Sequence, residues 1–261
     1  WASASGWMPA PFARSASHPL AIANASSFNV SGGSANLNAI RAINAAVPVF
    51  TSPFTTGPAS VYKTVATETV NTVTTIQSNL ANLDNTAANN AGYTGGSLSQ
   101  SLRSVGQLIR MNVGLNLVTV DYGGWDMHNS LVGEFRTRTV EFSRAINAFW
   151  TDMEEFRGRI TLVTMTEFGR RLQENTSQGT DHGSGSGMMI LGGNVNGGKV
   201  YGTWPGLAPS QLVTGDLRVT TDYRQVLSEI LVKRHAEANI ASVFPTVNYN
   251  PLGIMKANAT A

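Results

Sequence analysis

The chain has 261 residues, of which only 34 are charged, 18 Lys or Arg and 16 Asp or Glu, against a usual share about twice as large in soluble domains. A net charge of +2 excludes a strongly basic nucleic-acid binder. A mean hydropathy of -0.06 without an apolar run near 18 residues excludes a membrane-spanning helix. With no Cys, disulfides, thiolate zinc sites and Cys nucleophiles are excluded as well.

The length and apolar content suit one large α/β domain or two small ones, and a single domain over residues 1–261 is expected. Residues 1–112 carry seven of the charges and residues 113–261 the other 27. A low-charge surface so rich in Asn, Ser, Thr and Gly is commoner on secreted proteins than on cytosolic ones. The chain opens on Trp1 rather than Met, which predicts that a longer precursor precedes it.

Residues 1–35 are rich in Ser, Ala, Pro and Gly and are expected to be extended. A short helix is predicted over Ser34–Ala46. Val61, Val65, Val73, Ile76, Leu80 and Leu83 recur at helical spacing, and so do Leu98, Leu102, Val105, Leu108 and Ile109 after the glycine break at 92–96. Val113–Val120 reads as a strand, followed by the loop DYGGWDMHN. Leu131, Phe135, Phe142, Ile146, Phe149, Met153 and Phe156 form one stripe of an amphipathic helix. Ile160–Met165 is the next strand, and strand, loop, helix, strand makes a βαβ unit with parallel strands. Met188–Leu191 reads as a third strand. Asp222 with Gln225 resembles a capping box opening a helix through Val226, Leu227, Ile230 and Leu231.

Three polar clusters stand out: Asp126-Met127-His128 with Asp121 upstream, Thr166-Glu167, and Thr180-Asp181-His182. In open α/β sheets ligands gather outside the carboxyl ends of the strands, so Asp126, His128 and Glu167 are expected to face one crevice, with Asp181 and His182 folding over the same edge. Carboxylates with imidazoles suit Zn, Mn or Fe, and carboxylates alone suit Ca or Mg. Each cluster also has a plainer reading. His128 could cap the following helix, Glu167 could pair with Arg170 or Arg171, and Asp181-His182 could form an Asx turn. His18 and His235 read as ordinary surface residues. The Asn-x-Ser/Thr triplets at Asn24, Asn29, Asn175 and Asn258 are expected by chance in so Asn-rich a chain.

GGWDMH (123–128), TEFGR (166–170), GTDHG (179–183) and LGGNVNGGKVYG (191–202) resemble, in order and spacing, the motifs of the bacterial domain of unknown function 1501 family. TTDYRQV (220–226) is similar to a later segment of that family, and the clearest match covers residues 113–235. The resemblance implies the alkaline phosphatase and sulfatase superfamily, and with it a three-layer α/β/α sandwich on a mostly parallel sheet. It implies Asp126, His128, Glu167, Asp181 and His182 as ligands of a divalent metal, Zn, Mn, Fe or Ca. Arg170 would contact an anionic ester substrate. This chain departs from the pattern twice. The upstream GG-x-D-x-x-N motif is absent, so the chain is expected to be the C-terminal portion of a longer product. Glu167-Phe168 stands where the superfamily has an Asp-His pair, and Phe168 cannot bind metal. The implied activity is metal-dependent hydrolysis of phosphate or sulfate esters. The alternative is a catalytically degenerate member serving in structure or surface assembly, with residues 1–112 packed on a protein partner or on the domain's own sheet; a missing N-terminal segment is the other partner expected.

Overall fold

The computed structural model describes residues 2–3, 20–21, 71–72, 74–235 and 239–256. The helix predicted over 34–46, the positions Val61, Val65 and Val73, His18, and the triplets at Asn24, Asn29 and Asn258 lie outside them. The chain divides into two compact units, one of residues 1–123 and 139–152, the other of residues 124–138 and 153–261.

In the first unit, β1 (Ala2–Ser3) lies between β2 (Leu20–Ala21) and β3 (Val118–Thr119), parallel to both. Helix α1 (residues 74–81) carries Ile76 and Leu80 one turn apart, and α2 (Thr86–Asn90) follows it. Helix α3 (Ser97–Arg110) buries Leu98, Leu102, Val105 and Leu108, four members of the stripe read from the sequence, while Ile109 is half-buried. Ile76 and Leu108 form a core joined by Leu80, Met111, Leu115 and Val118, each buried aliphatic side chain contributing about 2 kcal/mol. The strand predicted over 113–120 contracts to β3, because Asn112 (φ 49°) and Gly114 (φ 77°) turn the backbone between α3 and the sheet.

Helix α4 (Leu131–Asp152) begins in the second unit and ends in the first. Its apolar stripe is buried only toward the C-terminus, at Ala145, Ala148 and Phe149, while Val132 and Phe135 are exposed. The stripe was expected to run to Phe156 as one helix. It breaks at Met153 and continues as a 3-10 helix over Glu154–Arg159. The last α4 residue, Asp152, is buried and accepts hydrogen bonds from Tyr93 Oη (2.9 Å) and Arg110 Nη2 (2.5 Å). Burial, and then the Asp152 carboxylate, push the Tyr93 phenol well above its ordinary range.

In the second unit, β4 (Thr161–Val163) pairs antiparallel with β7 (Ile190–Gly192), and β5 (Gly169–Arg170) pairs antiparallel with β6 (His182–Gly183). Among the described residues no sheet is wider than three strands. Helix α5 (Tyr223–Arg234) starts where the sequence places it, with Asp222 as N-cap accepting from the Arg224 amide. The capping box does not form. Gln225 instead donates to the Asn248 carbonyl and accepts from the Asn250 amide. Val195, Val226, Ile254 and Met255 make the core of this unit, and α6 (Ile240–Val243) follows α5.

Candidate metal centre

The candidate ligands of all three motif loops, Asp126 and His128, Glu167, and Asp181 and His182, belong to the second unit, and glycines allow the loops to approach one another. Gly169 opens β5 opposite Gly183, and a Cβ on Gly169 would overlap the Gly185 backbone. A Cβ on Gly179 would overlap the backbone of His128, so this glycine lets the GTDHG loop lie directly against the GGWDMH loop. Backbone hydrogen bonds close that contact: Thr180 N–H donates to Met127 O (3.3 Å), Ser130 N–H to Ser177 O (3.2 Å) and Leu131 N–H to Gln178 O (2.9 Å). The last two carbonyls serve free amides at the start of α4, the task that His128 could have had as a cap.

Within the first loop the chain alternates. Met127 is buried at 2 % exposure, while Asp126 and His128 on either side face outward. His182, in β6, meets them from the other loop. Asp126 Oδ1 lies 2.7 Å from His182 Nε2 and 3.0 Å from His128 Nε2, and one donor atom from each of the three residues falls within 4.8 Å of the others. The hydrogen bond from His182, ahead of the charges around it, holds the Asp126 carboxyl below the usual carboxylate range. Ring stacking sets the His182 ring. Phe168 lies parallel to it at 3.8 Å and 11°, and the His128 ring is 4.9 Å away. Phe168 is therefore a wall of the site and not a ligand.

Arg170 ties the two loops together. Its guanidinium donates to the carbonyls of Thr180 and Trp125 (2.6 Å for the latter) and to Asp126 Oδ1 (3.1 Å), and it lies 4.8 Å from the Phe168 ring. The residue expected to greet a substrate is thus engaged in holding the donor-bearing backbone. Glu167 is exposed and stands apart from the triad, while Arg171 pairs with Asp216 at 3.4 Å. Asp121 belongs to the first unit. His235 closes α5, its amide donating to Leu231 O. Asp181 takes the far side of His128: its Oδ1 lies 3.0 Å from His128 Nδ1, and hydrogen bonds from His128 and Asn175 hold its carboxyl below the ordinary range. Of the five expected ligands, the triad contains Asp126, His128 and His182. Asn175 was noted in the sequence only as part of an Asn-x-Ser triplet, and the two turn amides bonded to its side chain are a signal that spacing does not carry.

The donor set fits a dication with mixed nitrogen and oxygen ligands. Two acceptor lone pairs do not face each other at 3.0 Å, so a proton or a cation must lie between Asp126 Oδ1 and His128 Nε2. One carboxylate and two imidazoles suit Zn, Mn or Fe better than Ca, which prefers an all-oxygen cage. Three protein ligands on an exposed surface leave coordination positions open. No helix among the described residues is long and apolar enough to cross a membrane. No curated protein and no solved structure matches this chain. A family model described as a protein of unknown function, DUF1501, matches residues 2–231, the span that contains every motif loop above, and the chain therefore belongs to that family.

Proposed function

We propose that this chain is the metal-binding, C-terminal portion of an exported hydrolase of phosphate or sulfate esters, built on the three-layer α/β/α sandwich of the alkaline phosphatase and sulfatase superfamily. One observation carries the reading: Asp126, His128 and His182 bring three ligand atoms together at an accessible surface, with one ring nitrogen supported from behind. A dication there would polarise an ester oxygen and lower the pKa of a bound water. Asp126, His128 and His182 would hold it, Phe168 would fix the His182 ring, and Arg170 would keep the two loops in register. The low charge agrees with a periplasmic or extracellular setting.

A degenerate member serving in surface assembly is the second reading. Arg170 favours it, since the guanidinium already neutralises the carboxylate that a metal would need. Elemental mass spectrometry after incubation with zinc, manganese or iron, together with a panel of phosphate and sulfate esters, separates the two. The first reading expects about one metal per chain, lost in the His182→Ala variant together with ester hydrolysis. A chain that takes up no metal overturns it. Stoichiometric metal without hydrolysis of any ester selects the second reading.

A further inference from the structure

The direction of each hydrogen bond behind His128 can be traced from groups that have no choice. The amides of Ser177 and Gly179 can only donate, and both point at one side-chain atom of Asn175, at 2.9 and 3.0 Å. That atom is therefore the amide oxygen. The Asn175 nitrogen must then be the atom that donates to His128 O (2.9 Å) and to Asp181 Oδ1 (3.1 Å). Both hydrogens and both lone pairs of the amide are used, and the residue has one possible orientation. Asp181 Oδ1 is in turn an acceptor, so the hydrogen in its contact with His128 belongs to Nδ1. A neutral imidazole with its hydrogen on Nδ1 presents the Nε2 lone pair to the space shared with Asp126 and His182.

We propose that Asn175 and Asp181 are positioning residues that hold His128 in its Nδ1–H form, with Nε2 directed at a divalent metal, and that Asp181 is not itself a ligand. The proposal rests on the metal reading above, because Asp126 Oδ1 also lies 3.0 Å from Nε2 and a cation there leaves the ring hydrogen to Nδ1. Carboxylates placed behind metal-bound imidazoles in this way orient the ring and raise its basicity, and removing them lowers affinity about 10- to 100-fold. Asn175 adds a further tier. Its backbone amide donates to Gly179 O (2.9 Å), so the same residue shapes the turn that brings Gly179 against His128.

The experiment has two arms. Zinc affinity is measured by chelator competition for the wild type, Asp181→Ala, Asp181→Asn and Asn175→Ala, with circular dichroism confirming the fold. Both Ala variants are expected to lose about 10- to 100-fold. Asp181→Asn should retain affinity close to that of the wild type, because an amide oxygen still accepts from Nδ1–H. Equal losses in Asp181→Asn and Asp181→Ala would make Asp181 a direct ligand and overturn the proposal. The second arm is nitrogen-15 NMR of the His rings in the zinc-loaded protein, where His128 should carry its hydrogen on Nδ1 with Nε2 on the metal. A zinc-loaded wild type with the hydrogen of His128 on Nε2 overturns the positioning role. A wild type that takes no zinc overturns the proposed function and this proposal with it, whereas zinc bound equally well by the wild type and Asp181→Ala overturns the positioning role alone.

Discussion

Glu229 shows how much one side chain can organise. It is fully buried in α5 and accepts three backbone hydrogen bonds, from Leu252 (2.6 Å) and Gly253 (3.0 Å) at Oε2 and from Met255 (2.8 Å) at Oε1. Those amides belong to the segment that brings Ile254 and Met255 into the core of the second unit. Glu229→Gln keeps the shape but must turn an NH2 toward at least one donor. A buried group left facing the wrong partner costs about 1–3 kcal/mol, so urea unfolding of this variant should show a loss of about 2–3 kcal/mol. A loss below about 0.5 kcal/mol would mean the amides have other partners. Nothing in the sequence marks Glu229, because a Glu among helix residues ordinarily faces water. The same blindness hides Asp181 and Asn175. Their residue types invite ligation or turn formation, but which ring nitrogen a carboxylate meets is decided only when two distant loops touch. Asp126, His128 and His182 were legible because they stand in short polar clusters beside predicted strands, within motifs that are contiguous in the chain.

At the level of elements, helices were easier to read than strands. The stripe Leu98, Leu102, Val105, Leu108 marks α3 because four apolar residues at helical spacing leave little choice. Strands of two or three residues give no such repetition, and β5 and β6 are recognisable only through the glycines that let them pair. The start of α5 was legible through Asp222, but the partner was misread, since Arg224 and not Gln225 completes the cap. Asp222 Oδ1 accepts from the Arg224 amide at 2.9 Å and Oδ2 from its guanidinium at 2.6 Å. This contact, foremost the side-chain bond from Arg224, holds the Asp222 carboxyl below its ordinary range. The folded pKa lies below the unfolded one, so the contribution is complete above the unfolded value of about 3.9 and is lost as the pH falls through the folded value. Asp222→Ala should therefore cost about 1 kcal/mol at neutral pH, and its difference from the wild type should fade in acid. Paired denaturation curves across pH would show this. A difference that persists undiminished well below the unfolded value would mean that the charge is not what caps the helix.

For the whole molecule, all three triad donors lie in the second unit, so metal binding is linked first to the stability of that unit. The donors Asp126 and His128 come from one loop and His182 from another, so the complete set exists only in the folded state. Zinc at about a hundred times its dissociation constant should therefore add about 2.7 kcal/mol. In calorimetry the transition of this unit should move upward with zinc and return with a chelator, while His182→Ala should melt at one temperature in both conditions. A zinc-induced shift of equal size in the variant would place the binding elsewhere. Met127 gives the same loop a different vulnerability. Its thioether is sealed at 2 % exposure directly between the two outward donors, while Met165, 56 % exposed, stands open to solvent. An oxidant reaches Met127 only while the loop is lifted from its seat, and a sulfoxide formed there is too polar to return to the core. Oxidative damage would thus disarm the centre from beneath, displacing Asp126 and His128 together without altering either of them.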